Sequence, residues 1–186
     1  PEVPVIAMIS RLVEHKGLDL VKAVLDGILY DDVQLVVLGT GDYQYEEMFK
    51  EAQTRYPSKV SANITFNLDL AQKIYAGADI FLMPSKSEPC GLSQMIAMRY
   101  GTIPVVRETG GLKDTVQPYA DGEGTGFTFT NFNADDMLYV IREAETLYQD
   151  KTAWKKLMKN AMSKDFSWNH PAEDYIALYE KITGKK

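Results

Sequence analysis

With 186 residues, 45% of them hydrophobic, the chain is long enough to bury one substantial core, and its length predicts a single domain. A formal net charge of -6 argues against nucleic acid or an anionic membrane as a partner. The single cysteine, Cys90, excludes an internal disulfide and suits a reducing cytoplasm.

Short apolar runs alternate with helical periodicity, the pattern of a parallel sheet covered on both faces. A first strand is expected at residues 4–9, then a helix with Leu18, Val21, Leu25 and Ile28 on one face. A strand at 33–38 leads to a helix marked by Tyr45, Met48, Phe49 and Ala52. A strand at 60–66 leads to one carrying Leu70, Ile74 and Tyr75. Residues 79–83 read as a fully buried strand ended by Pro84, and 91–100 as a helix with apolar Leu92, Met95, Ile96 and Met98. Strands at 103–107 and 126–129 follow, and the pattern is helical after Asn133, with Asp135 and Asp136 favourably placed in a first turn. The expected fold is α/β: one Rossmann-like domain over 1–186, a parallel sheet flanked by helices, with a helical tail over about 134–186. No apolar run approaches the ~20 residues that span a bilayer. Nothing at the start reads as a signal peptide, and an opening on Pro1 in place of Met predicts a piece cut from a longer protein.

Ligands of open α/β sheets bind at the carboxyl ends of the strands, and several motifs fall there. Ser10-Arg11-Leu12-Val13-Glu14-His15-Lys16-Gly17 follows the first strand, Gly39-Thr40-Gly41 the second, Glu88-Pro89-Cys90-Gly91-Leu92-Ser93-Gln94 the fourth and Thr109-Gly110-Gly111-Leu112 the fifth. Taken singly, each has a plain reading: Arg11, Lys16 and Glu88 as solvated charges, the glycines as tight turns. Gly39-Thr40-Gly41 is no dinucleotide fingerprint, because the third glycine position holds Gln44 and the motif follows the wrong strand. Together, two cations, a helix start and glycines at one sheet edge suit a phosphate ester. No Asp-x-Asp triplet or Cys/His cluster offers a metal site, so metal is expected to be absent. His15 reads as a solvated loop residue and His170, before Pro171, as a helix-start residue.

Glu88 to Gln94, with Ser10-Arg11 and Lys16-Gly17 upstream and Thr109 to Leu112 downstream, closely resembles the C-terminal half of bacterial glycogen synthases and plant starch synthases, retaining glucosyltransferases of the two-domain GT-B fold. The likeness runs in matching order over about residues 3–179. It implies transfer of glucose from ADP-glucose to the 4-hydroxyl at the non-reducing end of an α-1,4-glucan, with retention and without a metal. It also implies that the glucan-binding domain is missing from this chain, which alone is then inactive. By the same resemblance Arg11 and Lys16 contact the donor phosphates, while Glu88 hydrogen-bonds donor glucose and stabilises positive charge on the ring, without acting as a covalent nucleophile. Cys90, Gly91, Leu92 and Ser93 then border the donor, Thr109, Gly110 and Gly111 face glucose and phosphate, Gly39 flanks the nucleotide, and Phe66 packs on adenine. Cys90 reads equally well as a small buried filler. Many enzymes of this fold place a second glutamate eight positions after the first to hold the ribose; here Ile96 stands there, a departure shared by glycogen and starch synthases.

The tail, with Phe166, Trp168, Tyr175, Leu178, Tyr179 and Ile182, predicts an amphipathic helix packing on a core. In the GT-B fold the last helix crosses to the N-terminal domain, without which its apolar face is exposed. The absence of a transit-like segment favours a bacterial source over a plastid one. Two alternatives remain: a GT-B transferase using a UDP- or GDP-sugar, and a non-catalytic module that has kept the fold.

Overall fold

The computed structural model describes residues 3–184, with the side chain of His170 outside the description. Six strands, β1 (Val5–Ile9), β2 (Gln34–Leu38), β3 (Val60–Asn63), β4 (Ile80–Met83), β5 (Ile103–Arg107) and β6 (Phe127–Phe129), form one sheet in the order β3-β2-β1-β4-β5-β6. Every pairing is parallel. The order reverses between β1 and β4, so the loops after these strands diverge and leave a crevice at their carboxyl ends. The alternation of side chains across the sheet sends Ile6, Met8, Ile80 and Leu82 into one core cluster, shared with α1 (Leu18–Tyr30), α2 (Tyr43–Arg55), α6 (Ala134–Gln149) and α7 (Lys151–Met162). Ala7 and Phe81 point the other way, against α3 (Leu68–Gly77) and α4 (Ser93–Tyr100).

The differences from expectation have local causes. β3 ends at Asn63 because the Asn63 carbonyl accepts from both Gly39 N and Thr65 N, bending the chain out of the ladder. Phe66 therefore lies in a loop, 82% exposed. α4 begins at Ser93, because Gly91 sits at φ 71 in the left-handed region that a helix does not use. Residues after Thr109, read as a turn, instead form the short helix α5 (Gly110–Thr115). The C-terminal part is helical as expected, and within it α6 and α7 contribute Met137, Ile141, Trp154 and Leu157 to the main core. Asn133 starts α6 by accepting hydrogen bonds from Asp135 N and Asp136 N. Only α8 (Asn169–Thr183) stands off: Tyr175, Ile176, Leu178, Tyr179 and Ile182 are all exposed, so the expected packing on a core does not occur within this chain.

One buried acid sets a pH dependence for the fold. Burial, reinforced by the charge of Asp31 and opposed by that of Arg142, raises Glu145 on α6 from 4.5 to about 7, and its Oε1 is buried without a hydrogen-bond partner. Between those two values the folded chain holds a proton that the unfolded chain has released, so stability falls as pH rises through this window. Glu145→Gln should flatten that fall. Urea midpoints measured from pH 5 to 8 test it; identical slopes for the two proteins would reject it.

Candidate functional site

The loop after β1 is tied down by its backbone. Ser10 N donates to Leu38 O, Leu12 N to Thr40 O, and Asp42 N to Leu12 O, so the turns after β1 and β2 are laced together. Gly39 and Gly41 permit this approach: a Cβ on Gly39 would lie 1.8 Å from Ser10 O, and one on Gly41 2.2 Å from Leu12 O. The first loop then closes into a 3-10 turn over Glu14–Lys16 and reaches α1 through Gly17 at φ 80, where a Cβ would lie 2.1 Å from Pro84 O. Lys86 N donates to His15 O, which couples this loop to the one after β4.

That contact brings the two sequence candidates of opposite charge together. Lys16 Nζ donates to Glu88 Oε2 at 2.5 Å, with the side chains only 18% and 11% exposed. Ser85 Oγ donates to the same oxygen at 3.4 Å. So little water reaches the pair that the attraction exceeds that of a surface ion pair, and losing either partner leaves the other poorly solvated and unpaired.

The glycines after β5 stand behind Glu88. Gly111 N donates to Glu88 O and Pro89 O, and a Cβ on Gly111 would lie 1.9 Å from Cys90 O. One on Gly110, at φ 45, would lie 2.2 Å from Glu88 O. These glycines make room for the Glu88 loop. Gln94, fully buried on α4, donates from Nε2 to Gly91 O and Thr115 Oγ1 and holds the turn from inside. Cys90 is exposed, which removes the buried-filler reading.

A cleft of about 320 Å³ runs along the ends of β1 and β2, lined by Ser10, Arg11, Gly39, Thr40, Phe66, Tyr75 and Ile96 among others. Burial pushes the Tyr75 hydroxyl up, with the hydrogen-bonded Ser93 hydroxyl pulling the other way. Its walls are mostly apolar, Phe66 stands exposed at one side, and Arg11 contributes a guanidinium within 3.4 Å of His15 Nε2. Such a slot suits a flat heteroaromatic ring with an anionic group attached. Leu92 lies apart from the other candidates, in a separate cleft of about 510 Å³ between α4 and the α7–α8 connection, with Arg99, Lys164 and Phe166. Thr109 is half-buried at the start of α5.

Sequence reasoning missed Tyr75 as a cleft residue and gave no site role to Ser85, to Arg107 or, within its motif, to Gln94. Arg107 left a signal as a charge ending an otherwise apolar strand. Among the described residues, no group of three or more His, Cys, Asp or Glu could hold a metal ion. Among them also, no helix is long and apolar enough to cross a membrane.

The chain is similar to known proteins over nearly its whole length. Residues 1–161 match the family described as glycosyl transferases group 1. A glycogen synthase of Desulforamulus reducens is 58% identical over 184 residues, covering 98% of this chain and 38% of that protein. One from Clostridium acetobutylicum is 58% identical over 183 residues, again with 38% of its length covered. The chain thus spans well under half the length of these curated relatives. Among solved structures, the catalytic domain of starch synthase IV from Arabidopsis thaliana, bound to ADP and acarbose, superimposes with a TM-score of 0.88 at 35% identity, covering 97% of this chain and 38% of that one. A sucrose-phosphate synthase from Thermosynechococcus elongatus, 22% identical with a TM-score of 0.72 over 98% of this chain and 46% of that one, shares the fold.

Proposed function

Because the chain belongs to the glycosyl transferases group 1 family, we propose that it is the donor-binding half of a glycogen or starch synthase, taking ADP-glucose and passing glucose, with retention, to the non-reducing end of an α-1,4-glucan. One observation carries this reading: a single loop sends Arg11 into an apolar cleft and Lys16 onto Glu88. Adenine occupies the slot beside Phe66, and the diphosphate lies toward Arg11, Lys16 and the backbone N–H groups that open α4. Ile96 on the cleft wall means that no carboxylate from that position holds the ribose.

Glu88 is oriented before the donor arrives. Lys16 has three N–H donors and spends one on Glu88, leaving two for phosphate oxygens. The pair can therefore bridge the sugar and the leaving group. As the glycosidic bond breaks, ADP gains negative charge beside Arg11 and Lys16, while the ring gains positive charge beside Glu88. The acceptor glucan is held by the part of the enzyme that the longer relatives contain and this chain does not. That part also covers the apolar face of α8. The setting is the cytoplasm.

The cations of the site make ADP binding independent of divalent metal. Titration calorimetry of the domain with ADP, UDP and GDP, with and without a chelator, should show ADP preferred and the chelator without effect. Lys16→Ala should weaken ADP by about 1.5 to 3 kcal/mol, the range for a hydrogen bond to a charged group. An absolute need for magnesium would remove the metal-free account, and an unchanged affinity would return Lys16 to a purely structural pairing with Glu88.

A further inference from the structure

Arg107 closes β5, and the functional reading above leaves it without a task. Its guanidinium donates to three backbone carbonyls: Nε to Ser85 O at 2.9 Å, one terminal nitrogen to Lys86 O, and the other to Thr130 O at 3.3 Å. Its central carbon stands 5.6 Å from the centre of the Phe132 ring, with Lys86 Nζ at the same distance from that ring. β4 ends at Met83, so the carbonyls of Ser85 and Lys86 lie beyond its last ladder pairing with β5. Those residues lead directly to Glu88, and Ser85, 1% exposed, also donates its hydroxyl to the Glu88 carboxylate.

We propose that Arg107 is a positioning residue for Glu88, fixing the loop after β4 from behind so that the carboxylate is held against Lys16 and toward the donor sugar. This rests on the role given to Glu88 above. The chemistry favours arginine at this place. A planar fork can donate to two carbonyls one residue apart and to a third from another loop, whereas an ammonium offers all its protons from a single atom. The loop carrying Arg11 and Lys16 meets this one through Lys86 N on His15 O, but it has its own anchors on the neighbouring strand-end loop, Ser10 N on Leu38 O and Leu12 N on Thr40 O, which do not involve Arg107. Losing the fork therefore displaces the sugar-facing carboxylate and leaves the nucleotide cleft in place.

The test uses the complete enzyme. Arg107→Lys keeps the charge over Phe132 and loses the fork. It should lower kcat on the order of 100-fold, the cost of displacing a reacting group by about an ångström. Its dissociation constant for ADP should stay within about twofold, the scatter of substitutions that touch nothing important. In Arg107→Ala, added methylguanidinium should restore part of the lost kcat, which a general loss of folding would not allow. Arg107→Lys with wild-type kcat would overturn the proposal. So would a proportional loss of ADP affinity, kcat and melting temperature without recovery by methylguanidinium. A wild-type enzyme that transfers no sugar from any nucleotide sugar would instead overturn the functional reading, and this role with it.

Discussion

Glu88→Gln in the complete enzyme should lower turnover about 100-fold to 1,000-fold, about 3 to 4 kcal/mol of transition-state stabilisation, while ADP affinity holds or tightens. ADP carries no glucose for the carboxylate to touch. The amide keeps the shape of the side chain and loses the charge that offsets an oxocarbenium ion, an interaction that matters only as the bond breaks. The ion pair seen here adds a sign to the nucleotide result. With Glu88 neutral, Lys16, 2.5 Å away in the wild type, directs its whole field at the phosphates. Calorimetry with ADP beside steady-state kinetics with saturating donor separates the two effects. Collapse of ADP affinity with turnover preserved would make Glu88 a nucleotide ligand and overturn its assignment.

The second large effect concerns the chain as it stands. Purified alone, it should bind ADP and transfer no measurable glucose to glycogen, whereas the complete enzyme should transfer it. One wall of a cleft can hold a donor and orient its anomeric carbon, but the acceptor hydroxyl must be presented from the other wall. Without that presentation the reaction loses an effective concentration that reaches roughly 10⁵ M or more in well-oriented systems. Incorporation of labelled glucose by the isolated domain, at rates approaching those of the complete enzyme, would refute the assignment of the acceptor site to the missing part. ADP binding in the same sample guards against a trivially unfolded preparation.

Much of the fold was legible because each strand is an apolar run and each helix has one apolar face. Strand β5 fell where its run of Ile103, Val105 and Val106 placed it. β3 was read three residues too long, since Ile64 and Phe66 continue the apolar pattern and only the bend at Asn63 ends the ladder. α5 was invisible for the opposite reason. Gly110 and Gly111 are poor helix formers, and they stand there because neighbouring backbone leaves no room for any side chain.

The sequence by itself determined the family likeness, the parallel α/β architecture and the candidate set of Arg11, Lys16, Glu88 and the glycine turns. All of these are written in residue type and spacing along the chain. Tertiary structure alone decided which candidates meet. It paired Lys16 with Glu88 across 72 positions of sequence, turned Gly110 and Gly111 into space for the Glu88 loop, and put Arg107 behind that loop. It also left α8 exposed where its amphipathic pattern called for a core. The physical reason is common to all four. A pattern states what a segment must bury or bond, but the sheet order and the loops it brings together decide whether a partner is there.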